Sequence, residues 1–204
     1  MTPFTTLTAI ACPLGLANVD TDQLIPARFM SRPRKEGYGG FLLHDLRFDE
    51  AGASRGFMLD APAHAGASIL IARRNFGTGS SREAAVYALV DFGIRCVIAP
   101  SFGDIFAANA VKNGLLPAQV EDAEAERLLA AITAEPARPL TVDLAGRSIR
   151  GAGPEATFAI DPVRALQLLN GWDDLDLTLR YEGEIAAYRA QRRALAPWSV
   201  PARR

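Results

Sequence analysis

The chain is poor in the groups that build metal centres. It has two cysteines, Cys12 and Cys96, and two histidines, His44 and His64, in 204 residues. The cysteines lie far apart, with no C-x-x-C pair. A four-thiolate cluster or a recognisable zinc motif carried by this chain alone is therefore excluded, and any metal in its chemistry has to come from another chain. The same scarcity argues against a disulfide framework and for a reducing compartment. An excess of charge is also missing: 22 Lys and Arg face 23 Asp and Glu, a net charge of −1. No overall field favours nucleic acid or an anionic membrane. No apolar run approaches the roughly 20 residues that cross a bilayer. The N-terminus lacks a basic segment followed by an apolar stretch, so a soluble cytoplasmic protein is the expectation. Internal repeats and low-complexity tracts are absent.

Hydrophobic residues make up 49% and charged residues 22%, which is ample for a globular core. We expect one domain over residues 1–190. Within it, residues 30–40 combine a proline, three glycines and three cations in an exposed, mobile loop. A loose C-terminal tail follows over 191–204.

The middle of the chain has the clearest pattern. An apolar strand at Ser68–Ala72 leads through a glycine loop to a helix over 81–92, with Gly93 just past its end. A strand at Arg95–Ala99 follows, then a helix capped by Asp104 that runs to Lys112. A further strand begins at Leu115–Leu116, before Pro117. This β-α-β-α-β alternation predicts a parallel sheet with right-handed crossovers and an α/β fold. Other expected elements are a strand at Phe4–Ala11, a helix at 121–134 and a hairpin from Leu140–Leu144 to Arg147–Arg150. A strand at Thr157–Ile160, a helix opened by Asp161-Pro162 and ended by Asn170-Gly171, and a last helix near Glu184–Ala194 complete the set.

The glycine loop Asn75-Phe76-Gly77-Thr78-Gly79-Ser80-Ser81-Arg82-Glu83 carries the chemistry. Ser80 with Glu83 fits the S-x-x-E capping box, which explains both residues locally. A helix N-terminus also suits phosphate, but the loop has no lysine and the G-x-x-x-x-G-K pattern is absent. The third reading is a carboxylate site. There, backbone N–H groups at Gly79, the Ser81 hydroxyl and the Arg82 guanidinium hold one small anion, and a serine transfers a proton. A helix N-terminus and Arg82 would stabilise a serine alkoxide. No His-containing triad is legible, so hydrolase-type serine chemistry is disfavoured. Outside the loop, Asp20, Thr21 and Asp22 either line a cavity and organise its loop or serve as turn and cap residues. Lys35, with Arg32 and Arg34, either steers an anion as part of a lid or is solvated surface. His44, His64 and Trp172 fit packing, and the two cysteines fit core or near-surface thiols.

Several ordered blocks then carry a family resemblance. They are Asn18-Val19-Asp20-Thr21-Asp22-Gln23-Leu24-Ile25-Pro26, Gly37-Tyr38-Gly39, the glycine loop, Ile98-Ala99-Pro100-Ser101-Phe102-x-Asp104-Ile105-Phe106, Asn113-x-Leu115-Leu116-Pro117 and Asp174-Leu175-x-Leu177-Thr178-Leu179. Together they resemble the small subunit of 3-isopropylmalate dehydratase, the swivelling domain of the aconitase superfamily. The resemblance implies a β/β/α swivelling fold with a mostly parallel central sheet. It implies a large-subunit partner holding a [4Fe–4S] cluster, none being bound by this chain. It also implies a small dicarboxylate substrate, Ser80 as the base for a carbon-bound proton, and Arg82 as carboxylate ligand and alkoxide stabiliser. The chain departs from the family pattern at Thr78, Ala84, Lys35 and Ala27, where members often have Cys, His, Arg and Lys. The substrate's alkyl group stays open between isopropylmalate and a related alkylmalate such as citramalate. A non-enzymatic anion-binding module is the competing class.

Overall fold

Short apolar runs buried on both faces become the parallel half of a seven-stranded sheet. The computed structural model describes residues 1–80 and 82–199. Its strands are β1 (Thr6–Pro13), β2 (Ile69–Ile71), β3 (Cys96–Ala99), β4 (Leu116–Gln119), β5 (Pro139–Asp143), β6 (Ser148–Arg150) and β7 (Ala156–Thr157), in the order β4-β3-β2-β1-β5-β6-β7. Strands β1 to β4 are mutually parallel, and β1, β5, β6 and β7 pair antiparallel. Beyond β7, Ala159 and Gln119 exchange two backbone hydrogen bonds (3.2 and 2.7 Å). The two ends of the sheet therefore meet, which curls it and covers its open edges.

The helices are α1 (Thr21–Leu24), α2 (His44–Arg47), α3 (Glu83–Phe92), α4 (Asp104–Lys112), α5 (Asp122–Ala134), α6 (Pro162–Asn170), α7 (Asp174–Leu179) and α8 (Glu182–Leu195). The two-residue period of the strands divides the core. Ile69, Ile71, Cys96 and Ile98 pack with Leu128, Leu129 and Ile132 of α5. Leu70, Ala72, Val97 and Ala99 pack on the other face with Ala85, Val86 and Leu89 of α3. Each layer of helices thus has its own continuous apolar floor.

The expected elements are present with shifted boundaries. Strand β1 starts at Thr6 and continues to Pro13, while Phe4 is buried in the core ahead of it. Strand β4 runs through Pro117, which an edge strand tolerates because it lacks a neighbour on one side. Of the expected strand at 157–160 only Thr157 lies in β7, which pairs with β6, and Ala159 contributes the bridge to Gln119. Asp161 caps α6 through the N–H groups of Val163 and Arg164, and Gly171 ends it in the left-handed conformation, as the sequence predicts. Gly103, not Asp104, is the N-cap of α4, and Asp104 is its first residue.

The loop at 30–40 is tethered to α3. The Arg34 guanidinium lies 3.6 Å from the Tyr87 ring centre and 3.5 Å from an Asp91 carboxylate oxygen. The Tyr38 N–H donates to the same carboxylate at 3.0 Å.

Candidate active site

Three loops leave the carboxyl ends of the adjacent strands β1, β2 and β3, the end at which open α/β sheets place ligands. Backbone hydrogen bonds stitch them together. The Gly77 N–H donates to the Val19 carbonyl (2.7 Å) and the Thr21 N–H to the Thr78 carbonyl (2.9 Å). On the other side, the Phe76 N–H donates to the Ser101 carbonyl (3.0 Å) and the Gly103 N–H to the Phe76 carbonyl (2.9 Å). Phe76 is fully buried and meets Phe106 edge-on at 5.3 Å. Gly77 has φ +71°, and a Cβ there would run into the Phe106 ring, so both the turn and the close approach demand glycine.

The loop creates a cleft of about 310 Å³ lined by Gly77, Gly79, Ser80, Arg82, Ile105 and Phe106, among others. Ser80 is exposed in it, and among the described residues no side chain or carbonyl engages its hydroxyl. Arg82 is partly buried and pairs through its guanidinium with Asp22, whose side chain is 54% exposed. The S-x-x-E capping box does not form. Arg82 is the N-cap of α3 and among the described residues no side chain caps the helix, whose first residue is Glu83 rather than residue 81. The Glu83 carboxylate instead accepts from Asn113 Nδ2 at 2.9 Å. An unoccupied helix start and a cation therefore stand beside a free serine hydroxyl, an arrangement suited to a carboxylate and a proton.

The other sequence candidates fall into different environments. Asp20 serves as the N-cap of α1 in a reciprocal box, accepting from the Gln23 N–H (2.7 Å) while Gln23 Oε1 accepts from the Asp20 N–H (3.0 Å). Thr21 is buried, and its hydroxyl donates to the Ser80 carbonyl at 2.9 Å. Gly79 has φ +94° and lines the cleft. Lys35 is exposed on the tethered loop and is not among the cleft-lining residues. Ser81 lies outside the described residues. At Thr78 the hydroxyl donates to the Asn75 carbonyl (3.3 Å), and Ala84 packs partly buried on the α3 side of the core.

Two features escaped the sequence reading. Asp22 belongs to a turn motif, but its partner Arg82 is 60 residues away and nothing local announces the pair. A side-chain knot also joins the three loops. Asn75 Nδ2 donates to Asn18 Oδ1 (2.7 Å), and the Asn75 N–H donates to Ser101 Oγ (2.9 Å). Asn18 and Asn75 both hold positive φ (55° and 61°), which asparagine tolerates better than most residues and which is the available signal.

A second, larger hollow of about 600 Å³ lies beside α2, lined by Arg28, His44, Asp45 and Arg55 among others. The Arg28 guanidinium holds the Asp45 carboxyl down to about 2, with help from His44. Arg28 and Asp45 there are committed to each other, and the hollow has neither a glycine loop nor the start of a long helix. The smaller cleft is the stronger candidate.

Neither cysteine serves chemistry in this chain. Cys12 and Cys96 are fully buried, and burial pushes the Cys12 thiol up to about 12 and the Cys96 thiol up as well. His64 is buried with Nδ1 3.2 Å from the Ala11 carbonyl, and His44 packs against Phe29 and Phe48. Among the described residues no group of three His, Cys, Asp or Glu side chains is placed to hold a metal ion. No helix of the described residues is long and apolar enough to cross a membrane.

Residues 1–123 match the family model of the aconitase C-terminal domain. A 3-isopropylmalate dehydratase small subunit from Rhodospirillum centenum is 48% identical over 202 residues, covering 98% of this chain and 100% of that protein. The chain belongs to the 3-isopropylmalate dehydratase small-subunit family. A small subunit of the same name from Brevibacillus brevis is 45% identical, covering 94% of this chain and 100% of its own length. A crystal structure of 3-isopropylmalate dehydratase from Methanocaldococcus jannaschii aligns with a TM-score of 0.63 at 23% identity, over 90% of this chain and 99% of that one. That last likeness concerns the fold alone, and it agrees with the curled α/β sheet described above.

Proposed function

We propose that this chain is the small subunit of a two-chain hydro-lyase of leucine biosynthesis. The pair would isomerise 2-isopropylmalate to 3-isopropylmalate through 2-isopropylmaleate. The observation that carries the reading is the cleft at Gly79, Ser80 and Arg82, found in a chain that matches small subunits over nearly its whole length.

In this reading Ser80 acts as an alkoxide and takes the carbon-bound proton. The C–H electron pair becomes the second bond of the alkene, and the C–O bond breaks to release hydroxide. Rehydration reverses these steps with the hydroxyl on the neighbouring carbon. The start of α3 and the Arg82 cation lower the cost of the serine alkoxide. Arg82 also takes a substrate carboxylate, which displaces the exposed Asp22 from the guanidinium. Gly79 and Ser81, with Asp20, Thr21 and Lys35, complete the substrate side. Thr21 and Asp20 would act mainly by shaping the loop, given the bonds they make.

An iron–sulfur cluster does not fit this chain's own residues, since its two cysteines are buried on separate strands as protonated thiols. The cluster and the remaining catalytic groups are assigned to a large-subunit partner, and the proton and one carboxylate are this chain's share. The reading also makes the protein cytoplasmic.

Reconstitution tests it. The purified chain alone should not turn over 2-isopropylmalate, and addition of a cluster-loaded large subunit should produce 3-isopropylmalate. Full activity of the isolated chain, or no association with a large subunit, would sink the proposal. Preference for citramalate over isopropylmalate would keep the chemistry and change the substrate.

A further inference from the structure

We infer that Thr21 is a positioning residue that fixes Ser80 through its main-chain carbonyl. The inference rests on the reading of Ser80 as the base and names the group that holds it in place.

The segment at residues 19–21 runs beside the glycine loop as a short parallel ladder. Asp20 bridges Thr78, with hydrogen bonds from the Gly77 N–H to the Val19 carbonyl and from the Thr21 N–H to the Thr78 carbonyl. The next rung would need a backbone N–H facing the Ser80 carbonyl. The chain cannot supply one, because it turns into α1 at Thr21. There the Leu24 and Ile25 N–H groups return to the Asp20 and Thr21 carbonyls. The Thr21 hydroxyl takes the place of the missing rung and donates to the Ser80 carbonyl at 2.9 Å.

Three observations make this bond matter. Thr21 is only 2% exposed, so its hydroxyl is shielded from water and the bond is not readily replaced by solvent. The loop has little stiffness of its own, since Gly77 and Gly79 both sit at positive φ, where only tertiary contacts select one conformation. The approach is close as well: a Cβ on Gly79 would lie 3.4 Å from Thr21 Oγ1. The Arg82 N–H also donates to the Ser80 carbonyl, at 2.8 Å. The two donors together hold the carbonyl of the residue that carries the base. A base misplaced by an ångström loses on the order of 100-fold in rate.

The test uses the reconstituted two-chain enzyme with 2-isopropylmalate. Thr21→Val keeps the shape and removes the donor. It should lower kcat by about 10- to 100-fold and leave KM within about threefold, because the Thr21 hydroxyl is committed to the Ser80 carbonyl and Arg82 still binds the carboxylate. Thr21→Ser keeps the donor and should recover most of the lost kcat. On a Ser80→Ala background, Thr21→Val should lower the residual rate no further, since the group it positions is gone. Thermal melting and partner binding report folding, and Thr21→Ala replaces the valine variant if that one fails to assemble. Wild-type kcat in Thr21→Val, equal losses in the valine and serine variants, or an additive loss on the Ser80→Ala background would each overturn the inference. An inactive wild-type pair with a fully loaded partner would instead overturn the functional reading on which it rests.

Discussion

Two hollows of this molecule, the cleft at Ser80 and the one beside α2, differ in a way that size does not capture. The one beside α2 is roughly twice as large, about 600 against 310 Å³, and it is rich in charge. Several of its polar groups are nevertheless already engaged, with one another or with backbone. Arg28 holds Asp45 in a two-pronged pair, Asp49 accepts from the Ala51 and Ala53 N–H groups, and Arg55 Nε donates to the Phe48 carbonyl. In the smaller cleft the loops are held by main-chain hydrogen bonds, and the side chains that would do chemistry are less committed. The loops are stitched by main-chain hydrogen bonds, while the Ser80 hydroxyl is left without a partner among the described residues and Arg82 has only an exposed carboxylate to answer it. A rigid frame presenting uncommitted groups is what chemistry needs, because a ligand then has interactions to gain.

That contrast is broken most severely at Ser80. Removal of the hydroxyl in Ser80→Ala should reduce kcat of the reconstituted pair by about 1,000-fold or more, the upper part of the range for a positioned acid–base group. Association with the large subunit should be unchanged. A variant that turns over normally would end the assignment of the base. Arg82→Ala should follow with a loss in kcat/KM of about 10- to 150-fold, which corresponds to about 1.5–3 kcal/mol for hydrogen bonds to a charged group. Steady-state kinetics would show part of that loss as raised KM, since the arginine binds a carboxylate before the proton moves.

Much of this frame is legible in the chain itself. Strands β2 and β3 are short apolar runs because they are buried on both faces. The helices between them end at glycines such as Gly93, so alternation alone predicts the parallel half of the sheet. The glycine loop is also visible, because its residue types suit an anion as well as a helix cap. Its local geometry is not. Ser80 and Glu83 match a capping box, yet the Ser80 carbonyl is claimed by Thr21 from another loop, and Glu83 turns to Asn113 just past the end of α4. Pairs such as Asp22 with Arg82, or Asn18 with Asn75, are separated by 60 and 57 residues and arise only once the sheet brings their loops together. Pro117 and Ala159 show the same limit at the sheet edges. What proline and a broken strand do there depends on which neighbour is missing, and the sequence does not say.

The frame itself can be tested without activity. Gly77→Ala puts a methyl group against the Phe106 ring at a residue with φ +71°, so crowding and backbone strain act together. The expected destabilisation is about 2–5 kcal/mol, from about 1–3 kcal/mol of overpacking and about 1–2 kcal/mol of left-handed strain. Chemical denaturation would register it as a lower midpoint with an unchanged slope. A midpoint equal to wild type would mean that the loop is not clamped as described.

The smallest effect belongs to the α2 hollow, and it sharpens the comparison from the other side. The Asp45 carboxyl is held at about 2, below its ordinary 3.8, chiefly by the Arg28 hydrogen bonds. A depressed folded-state value means that the pair's contribution is present above about pH 4 and fades as pH falls towards 2. Both side chains are more than half exposed, so solvent limits that contribution to less than about 1 kcal/mol. Asp45→Asn should therefore remove a small part of the acid dependence of stability between about pH 4 and pH 2 and leave kcat and KM of the reconstituted pair unchanged. Acid-denaturation curves of the two proteins, converging at the low end, would check the first point. A large loss of activity in Asp45→Asn would show that the paired charges beside α2 are not self-contained, and that the larger hollow takes part in the reaction after all.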